Sequence, residues 1–358
     1  MKPLEQLVRS NILALKPYSS ARDEFEGNGE VFLDANENPF ETGLNRYPDP
    51  YQRTLKKKIA SIKRVSLGRI FLGNGSDEAI DLLFRIFCEP QKDGIIITDP
   101  TYGMYQVSAS IQDIRVTKVP MSSDFRITAQ DILEKVDDTT KMIFLCTPNN
   151  PTANDLDRQA IMNILHGFEG IVVIDEAYSD FTDQPSFTGV LNECPNLVVL
   201  QTFSKAWGLA GIRLGMAFAS EEIIRYFNKV KPPYNLDVLV QKEALRQLDR
   251  FDEMKGKVGE IITQREWLLN QLSALTIVLN VYPSSTNFLL VRFERSKEVF
   301  TYLMENDIIV RDRSKALHCE NCLRITVGTA EENRKLLRTL DAYSNKKNEP
   351  KNEGTITR

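Results

Sequence analysis

The chain has 358 residues, of which 42% are hydrophobic and 26% charged, and its formal net charge is −4. These values are typical of a soluble globular protein with room for two domains, and they favour neither nucleic acid nor another polyanion as a partner. No apolar run is long enough to span a membrane, and residues 1–6 lack the apolar core of a signal peptide. The five cysteines, an odd and mostly scattered set, indicate reduced thiols, so we expect a cytoplasmic protein.

Residues 1–35 are expected to form an N-terminal segment that packs with a smaller, C-terminal domain. Apolar spacing predicts a helix over residues 4–13, which ends before the Lys16-Pro17-Tyr18 break. Two proline turns follow, Asn36-Glu-Asn-Pro39 and Arg46-Tyr-Pro-Asp-Pro50. The second turn presents Tyr47 and delays the next helix to about residue 52.

Residues 36–273 are predicted to form a large domain in which short apolar runs alternate with helical spacing. Strands are predicted at residues 70–73, 95–98, 114–119, 142–146, 171–174, 197–200 and 214–219, and helices at 52–63, 79–87, 129–136 and 161–168. This alternation indicates an α/β fold with a mainly parallel sheet sandwiched by helices. Polar residues follow directly after several strands, at the edge where open α/β sheets bind ligands.

Residues 274–343 are predicted to form the smaller α/β domain, and the polar residues 344–358 a disordered tail. Its strands are expected at residues 288–293, 308–310 and 323–327, and its helices at 297–305 and 330–342. The motif His318-Cys-Glu-Asn-Cys322 resembles half of a zinc site. Because structural zinc needs a second ligand pair and His166 is the only other histidine, we expect a polar loop and no metal.

The loop after the predicted strand at residues 197–200 holds Lys205 among small and apolar neighbours. A lysine in a dry pocket has a lowered pKa, and its neutral amine is a nucleophile for carbonyl groups. The residues that suit a phosphate are Gly75, Ser76 and Asp77 at the start of a predicted helix, and Thr202, Ser204 and Arg213 near the lysine. A nucleophilic amine beside a phosphate site indicates a Schiff base to pyridoxal 5′-phosphate (PLP).

Further groups that PLP chemistry requires also follow strands. Asp175 ends the apolar strand at residues 171–174, where its carboxylate can keep the pyridine nitrogen protonated. Tyr178 and Asn150 are candidates to hydrogen-bond the ring oxygen, and Tyr102 is a candidate to stack on the ring. The joint occurrence of these groups at successive strand ends is more specific than any one of them.

These motifs resemble the fold-type I PLP-dependent aminotransferases of class II, and among them the histidinol-phosphate aminotransferases. The resemblance extends from about residue 17 to residue 342. It rests on Asn36-Glu-Asn-Pro39, Arg46-Tyr-Pro48, Pro148-Asn-Asn-Pro-Thr152, Asp175-Glu-Ala-Tyr178, Ser204-Lys205 with Arg213, Arg311-Asp312 and Cys322-Leu-Arg-Ile-Thr-Val-Gly328. It implies that Lys205 binds PLP and moves the proton, with Asp175 and Tyr178 as its catalytic partners.

The resemblance also implies a homodimer with shared active sites, in which Tyr47 reaches the phosphate of the cofactor bound by the other subunit. Arg311 and Arg324 would bind the anionic group of the substrate, helped by Tyr18, and Asn36 would belong to the same substrate site. In the alternative interpretation, both arginines pair with surface acids such as Asp312.

The implied reaction is the reversible transamination of L-histidinol phosphate with 2-oxoglutarate, which gives 3-(imidazol-4-yl)-2-oxopropyl phosphate and L-glutamate in histidine biosynthesis. An aromatic or broad-specificity aminotransferase is an alternative, and so is a PLP decarboxylase of a phosphorylated amino acid such as threonine phosphate. A transcription regulator with an aminotransferase-like domain would need an added DNA-binding domain, for which about 35 residues before the first motif leave no room.

One position departs from the family pattern. Glycine usually follows Asn-Pro-Thr in the family, and Ala153 stands there in this chain. If the position needs a positive φ, alanine costs about 1 kcal/mol there. We expect a local adjustment of the backbone without loss of function.

Overall fold

A seven-stranded sheet forms the centre of the computed structural model, which describes residues 2–18 and 31–348. Its strands are β1 (Ile70–Asn74), β2 (Gly94–Asp99), β3 (Arg115–Pro120), β4 (Thr140–Cys146), β5 (Ile171–Asp175), β6 (Leu197–Thr202) and β7 (Leu214–Ala219). They are ordered β1-β7-β6-β5-β4-β2-β3. Strands β2 to β6 pair in parallel, whereas β7 is antiparallel to both of its neighbours. The predicted mainly parallel sheet is confirmed.

Helices cover both faces of this sheet because its central strands are apolar on both sides. All five residues of β5 are buried, so neither face can be left to water. The helices of this part are α1 (Leu4–Leu7), α2 (Ser10–Ala14), α3 (Arg53–Lys63), α4 (Gly75–Phe87), α5 (Met104–Ile111), α6 (Ala129–Leu133), α7 (Arg158–Gly167), α8 (Glu221–Val230) and α9 (Val238–Leu248). Helices α4, α5 and α8 pack on one face, and α3, α6, α7 and α9 on the other.

A second, four-stranded antiparallel sheet follows the long helix α10 (Phe251–Ser273). Its strands are β8 (Val278–Val281), β9 (Phe288–Phe293), β10 (Arg311–Asp312) and β11 (Cys322–Thr326), in the order β10-β11-β9-β8. Helices α11 (Ser296–Glu305) and α12 (Ala330–Asn348) share a separate apolar core with it. The other face of β9 packs on the large sheet's core, so the edge with β10 and β11 lies near the ends of the large sheet's strands.

The predicted strand at residues 308–310 is wrong. The N–H groups of Asp307 and Ile308 donate to the carbonyls of Met304 and Leu303, so these residues still complete the end of α11. Asp307 has a φ of 57°, which is the left-handed conformation that commonly ends a helix. The strand begins only at Arg311.

The N-terminal segment packs on the large sheet's side of the molecule, so its predicted packing with the smaller domain is wrong for residues 2–18. Leu4 and Leu7 share an apolar cluster with Phe84 of α4, and the Arg9 Nε donates to Glu89 at 3.2 Å. The predicted helix over residues 4–13 is divided into α1 and α2, because Val8 is extended with a ψ of 139°. The predictions that fall on residues 19–30 lie outside the described residues.

The predicted disordered tail is wrong at its start, because α12 continues through Ser344 to Asn348. The Ser344 side chain is buried, and its Oγ lies 3.1 Å from Thr276 Oγ1. Residues 349–358 lie outside the described residues.

The polar loop before β11 contains Cys319, and Cys322 opens the strand itself. All five cysteines of the chain are buried free thiols. Within residues 2–18 and 31–348, no three His, Cys, Asp or Glu side chains are grouped as a metal site would require. In the same residues, no helix is both long and apolar enough to cross a membrane.

Candidate active site

A cavity of about 500 Å³ lies at the carboxyl ends of the parallel strands, where β4, β5 and β6 end at Cys146, Asp175 and Thr202. Its lining residues are Ser76, Asp77, Tyr102, Cys146, Asn150, Asp175, Ala177, Tyr178, Thr202, Ser204, Lys205, Ala210, Arg213, Arg311, Arg313 and Arg324. Most of the predicted site residues are therefore brought together here. The exceptions are Gly75, which adjoins the cavity, and Tyr18, Asn36 and Tyr47, which lie elsewhere.

Lys205 lies in the loop between β6 and β7, which two aromatic residues anchor. The rings of Phe203 and Trp207 are both buried and 5.3 Å apart, so the loop is fixed while the lysine points into the recess. Partial burial lowers the pKa of Lys205, and the positive charge of Arg324 lowers it further. Both effects shift the amine toward its neutral, nucleophilic form.

Asp175 is a buried carboxylate at the end of β5, with 3% of its surface exposed. Its Oδ2 accepts a hydrogen bond of 2.6 Å from the Tyr105 hydroxyl, and its Oδ1 accepts one of 3.0 Å from the Ala177 N–H. Burial nevertheless raises the pKa of Asp175 to about 6. A carboxylate in this environment would be stabilised by a cationic ring nitrogen in the cavity.

Tyr105 is a site residue that the sequence did not reveal. It lies on α5, three positions after Tyr102, and its ring is fully buried against Phe144 at 4.9 Å. Its spacing in an apolar helix resembles that of an ordinary core residue. Its hydrogen bond to Asp175 is what distinguishes Tyr105 from the core residues around it.

Glu176 is adjacent to Asp175 but does not line the cavity. Its carboxylate accepts hydrogen bonds from Ser186 Oγ at 2.6 Å, the Phe187 N–H at 2.6 Å and Gln201 Nε2 at 2.8 Å. The two adjacent acids thus have different surroundings. Glu176 is satisfied by protein donors, whereas Asp175 faces the cavity.

The start of α4 forms an anion cradle with the β6–β7 loop. Gly75 has a φ of +72°, and a Cβ at this position would lie 2.7 Å from Arg213 Nη2. A Cβ on Gly215 would lie only 2.1 Å from the backbone nitrogen of Ser76. The Gly75 N–H donates to the Arg213 carbonyl at 2.8 Å, so the N–H groups of Ser76 and Asp77, which have no partners within the helix, are the ones that this close packing places beside Arg213 and Ser204.

Arg213 donates from Nη1 to the Ala210 carbonyl at 3.2 Å, and its other side-chain contacts in the cradle are longer. Its Nη2 lies 3.5 Å from Asp77 Oδ2, and its Nη1 lies 3.4 Å from Ser204 Oγ. The Tyr102 hydroxyl donates to Asp77 Oδ1 at 3.3 Å. Arg213 and Ser204 therefore line the same recess, where the sequence predicts a phosphate site.

Arg311 and Arg324 are directly opposite each other in the pairing of β10 with β11. The Arg324 Nη1 donates to Asn150 Oδ1 at 2.6 Å, and Asn150 Nδ2 donates to the Tyr178 hydroxyl at 3.4 Å. The alternative pairing with Asp312 is wrong, since Asp312 Oδ1 accepts from the Ser314 N–H at 2.8 Å and neither arginine forms an ion pair with it in the described structure. Arg313, which the sequence analysis did not single out, lines the same cavity.

Tyr47 and Asn36 line a second pocket, of about 380 Å³, at the surface. The Tyr47 ring stacks on Tyr234 at 4.4 Å, and 51% of the Tyr47 surface is exposed. Tyr18 is 71% exposed and lines neither pocket. Within one chain, these three residues are not part of the cavity around Lys205.

Ala153 does adopt a positive φ, of 70°, and its side chain is fully buried. Its N–H donates to the Asn149 carbonyl at 2.8 Å, and its carbonyl accepts from the Ser285 N–H at 2.8 Å. These bonds hold the left-handed conformation, so the expected local adjustment is wrong.

The comparisons with known proteins agree with this geometry. The profile of the family described as aminotransferase class I and II matches residues 31–340. The chain is 52% identical over 344 residues to a histidinol-phosphate aminotransferase of Bacteroides fragilis, covering 96% of this chain and 100% of the relative. It is 51% identical to a histidinol-phosphate aminotransferase of Cytophaga hutchinsonii, covering 95% and 99%.

Solved structures show the same fold at lower identity. The histidinol-phosphate aminotransferase of Clostridium acetobutylicum has a TM-score of 0.78 and 24% identity, covering 85% of this chain and 92% of that one. The enzyme of the same name from Sinorhizobium meliloti, in complex with pyridoxal-5′-phosphate, has a TM-score of 0.77 and 22% identity, covering 84% and 83%. With the family match over most of its length, the chain belongs to the class I and II aminotransferases.

Proposed function

We propose that the protein is a PLP-dependent transaminase that converts L-histidinol phosphate and 2-oxoglutarate to 3-(imidazol-4-yl)-2-oxopropyl phosphate and L-glutamate, reversibly, in histidine biosynthesis. The observation that carries the proposal is that Lys205, Asp175 and Arg324 line one cavity. The near full-length identity to histidinol-phosphate aminotransferases supports the choice of substrate.

The residues present fit PLP. The anion cradle with Ser204 and Arg213 suits its phosphate, Lys205 is placed to attach it, and the buried carboxylate of Asp175 suits its ring nitrogen. When bound, PLP supplies an electron-withdrawing ring that stabilises negative charge on the carbon bearing the amino group.

Lys205 Nζ then has the role of the base that moves the proton from this carbon, because its lowered pKa favours the neutral amine. Asp175 holds its negative charge against the ring nitrogen, and Tyr105 orients that carboxylate through the bond of 2.6 Å. Burial raises the pKa of Tyr178, so its hydroxyl stays protonated and can donate a hydrogen bond to the ring oxygen.

The same cavity must accept two different anions in turn. Histidinol phosphate has no carboxylate, so its phosphate takes the place of the α-carboxylate of glutamate. The planar guanidinium of Arg324 can bind either group through two parallel hydrogen bonds. Arg311, directly across the strand pair, is placed to share this anion or to bind the distal carboxylate of glutamate.

We also propose a homodimer in which Tyr47 completes the site of the other subunit. Tyr47 and Asn36 lie outside the chain's own cavity. Their surface carries the exposed apolar residues Phe40, Leu44 and Leu239. A cluster of exposed apolar side chains beside a pocket is typical of a surface that another chain covers.

The test compares kcat/KM of the PLP-loaded enzyme for histidinol phosphate, histidinol, phenylalanine and tyrosine, with 2-oxoglutarate as acceptor. Loss of the phosphate should cost about 100-fold or more, since it removes the charged partner of the arginines that line the cavity. Threonine phosphate should yield glutamate without carbon dioxide release, if it reacts at all. A preference for aromatic amino acids, or rapid carbon dioxide release, would overturn the proposal.

A matched pair of variants tests the arginine assignment. Arg324→Lys keeps the charge but loses the planar fork, so both half-reactions, with histidinol phosphate and with glutamate, should slow about 10-fold or more. Arg334→Lys, on α12 and outside the cavity lining, should leave both unchanged.

A further inference from the structure

Arg313 is the cavity residue for which neither the fold nor the reaction described above provides a role. It directly follows β10, and its backbone N–H donates to the Cys322 carbonyl at 2.9 Å, which fixes its position beside the strand pair. Its side chain lines the cavity with Arg311 and Arg324. Its Nε is buried, and no hydrogen-bond acceptor reaches that atom within the described part of the chain.

The charges nearest to Arg313 are also unbalanced. Burial lowers the pKa of Arg313, and repulsion by Arg324 and Arg311 lowers it further. A half-buried guanidinium beside two other positive charges is costly, and an anion that enters the cavity would offset this charge.

The acids of the cavity do not offset these three arginines. Among the residues that the structure describes, the acids in its lining are Asp77 and Asp175. Asp77 lies 3.5 Å from Arg213 in the cradle. Asp175 lies at the carboxyl end of β5, where it accepts a hydrogen bond from the Tyr105 hydroxyl. Three guanidinium groups are thus left for the substrate's anion.

We propose that Arg313 is a third guanidinium contact for the substrate's phosphate, and that it makes the site favour a phosphomonoester dianion over a carboxylate. The inference rests on the proposed function for the natural substrate. A carboxylate has two oxygens and one charge, which the fork of Arg324 can saturate. A phosphate monoester has three terminal oxygens and nearly two charges at pH 7, so it can engage a further guanidinium.

Arg324 alone is poorly suited to bind the second negative charge of a phosphate monoester. One of its terminal nitrogens already donates to Asn150 at 2.6 Å, which leaves fewer donors for the ligand. Arg313, which directly follows β10, brings a further guanidinium to the lining of the same cavity. The difference between the two anions should therefore depend mainly on Arg313.

The experiment measures the two half-reactions of the PLP-loaded enzyme in Arg313→Gln. The kcat/KM for histidinol phosphate should fall about 10- to 100-fold, the range for one charged hydrogen bond, and that for glutamate less than about threefold. Arg295→Gln is the control, because that arginine is exposed in the same domain and outside the cavity lining, where it pairs with Glu298. Equal losses in both half-reactions, or none in either, would overturn the inference.

Ligands without an amino group separate this inference from the proposed function. Calorimetry with 3-phenylpropyl phosphate and 4-phenylbutyrate gives a ratio of affinities that needs no turnover. Arg313→Gln should reduce the preference for the phosphate about 10-fold or more, and Arg313→Lys, which keeps the charge, should restore part of it. An unchanged ratio would show that Arg313 is only structural, even if histidinol phosphate is the substrate.

If histidinol phosphate is not turned over but the ratio falls, the proposed function fails and the role of Arg313 stands. Should Arg313→Gln not fold, Arg313→Lys takes its place, with an expected loss of the preference of about threefold or more.

Discussion

The cavity around Lys205 and the pocket around Tyr47 are built in different ways. In the first, side chains follow the ends of three parallel strands, and the buried Tyr105 holds Asp175 in place. In the second, residues 31–52 form no helix or strand, and Tyr47 is about half exposed. The contrast teaches that one chain assembles the cavity around Lys205 by itself, while the half-exposed surface around Tyr47 is where we propose that a second subunit docks.

The largest effect should come from the centre of the cavity. Lys205→Ala should lower turnover about 10³-fold or more, because it removes both the attachment point and the base. Borohydride reduction of the wild-type holoenzyme should label one peptide, which contains residue 205. A label on another peptide, or an equal loss in the control Lys297→Ala on α11, would contradict the assignment.

Asp175→Asn should separate catalysis from stability. The variant should lose turnover about 100-fold or more, because a neutral amide cannot hold the ring nitrogen protonated. The cofactor-free variant should be more stable than the cofactor-free wild type at pH 7, since it no longer buries a carboxylate that lacks a cation. Steady-state kinetics and urea unfolding measure the two effects, and wild-type turnover would show that Asp175 is merely structural.

The pH dependence of that stability follows from the pKa of Asp175, which burial raises from 3.8 to about 6. Between these values the folded state binds more protons than the unfolded state, so the free energy of unfolding decreases as pH rises. From pH 4 to above pH 6 the difference between the two proteins should change by at most about 3 kcal/mol and then level off. A difference that does not change between pH 4 and pH 7 would contradict the raised pKa.

Mixing two impaired variants tests the pocket around Tyr47. Neither Tyr47→Phe nor Lys205→Ala has a complete site in a shared-site homodimer. A mixed dimer has one, with Lys205 from the first chain and Tyr47 from the second. Random exchange should restore about a quarter of the wild-type activity, because half of the dimers would be mixed and each would carry one complete site of two.

Two measurements decide that experiment. Subunit exchange is verified by mass spectrometry of the mixture, and turnover is measured before and after exchange. If exchange is complete and activity does not rise, the site is not shared. The pocket around Tyr47 would then not be part of a second subunit's active site.

The smallest effect should come from Ala153, between the cavity and the second sheet. Ala153→Gly should raise the free energy of unfolding by up to about 1 kcal/mol, because glycine adopts the φ of 70° without steric cost. Turnover should not change. Urea denaturation measures the difference, and a destabilised variant would mean that the buried methyl group contributes more than the strain costs.

Sequence reasoning found the parts of the site that depend on strand ends, because a polar residue after an apolar run is visible without coordinates. Asp175 and Lys205 are examples. It missed Tyr105, since a buried tyrosine on an apolar helix looks like core until its hydroxyl partner is known. It missed Arg313 because the residues around it form an irregular loop. Such a loop has no hydrophobic periodicity from which the direction of a side chain could be predicted.

The fold was predicted well where periodicity is strong and poorly where the chain ends or turns. The strands of the large sheet were placed to within about two residues, as for β4 and β5. The placement of residues 2–18 was wrong because an amphipathic helix indicates that it packs, but not on what. The strand at residues 308–310 was wrong because the left-handed Asp307, which ends α11, has no distinctive sequence signal.

Gly215 has a consequence for how the protein tolerates mutation. Any side chain there would collide with the backbone of residues 75 and 76, and backbone atoms cannot rotate aside as a side chain can. Even Gly215→Ala would have to push the helix start away from the strand, which both weakens the fold and disperses the N–H groups that face the cradle. A mutational scan for heat resistance and one for cofactor retention should therefore both identify this position, although it touches neither substrate nor cofactor ring.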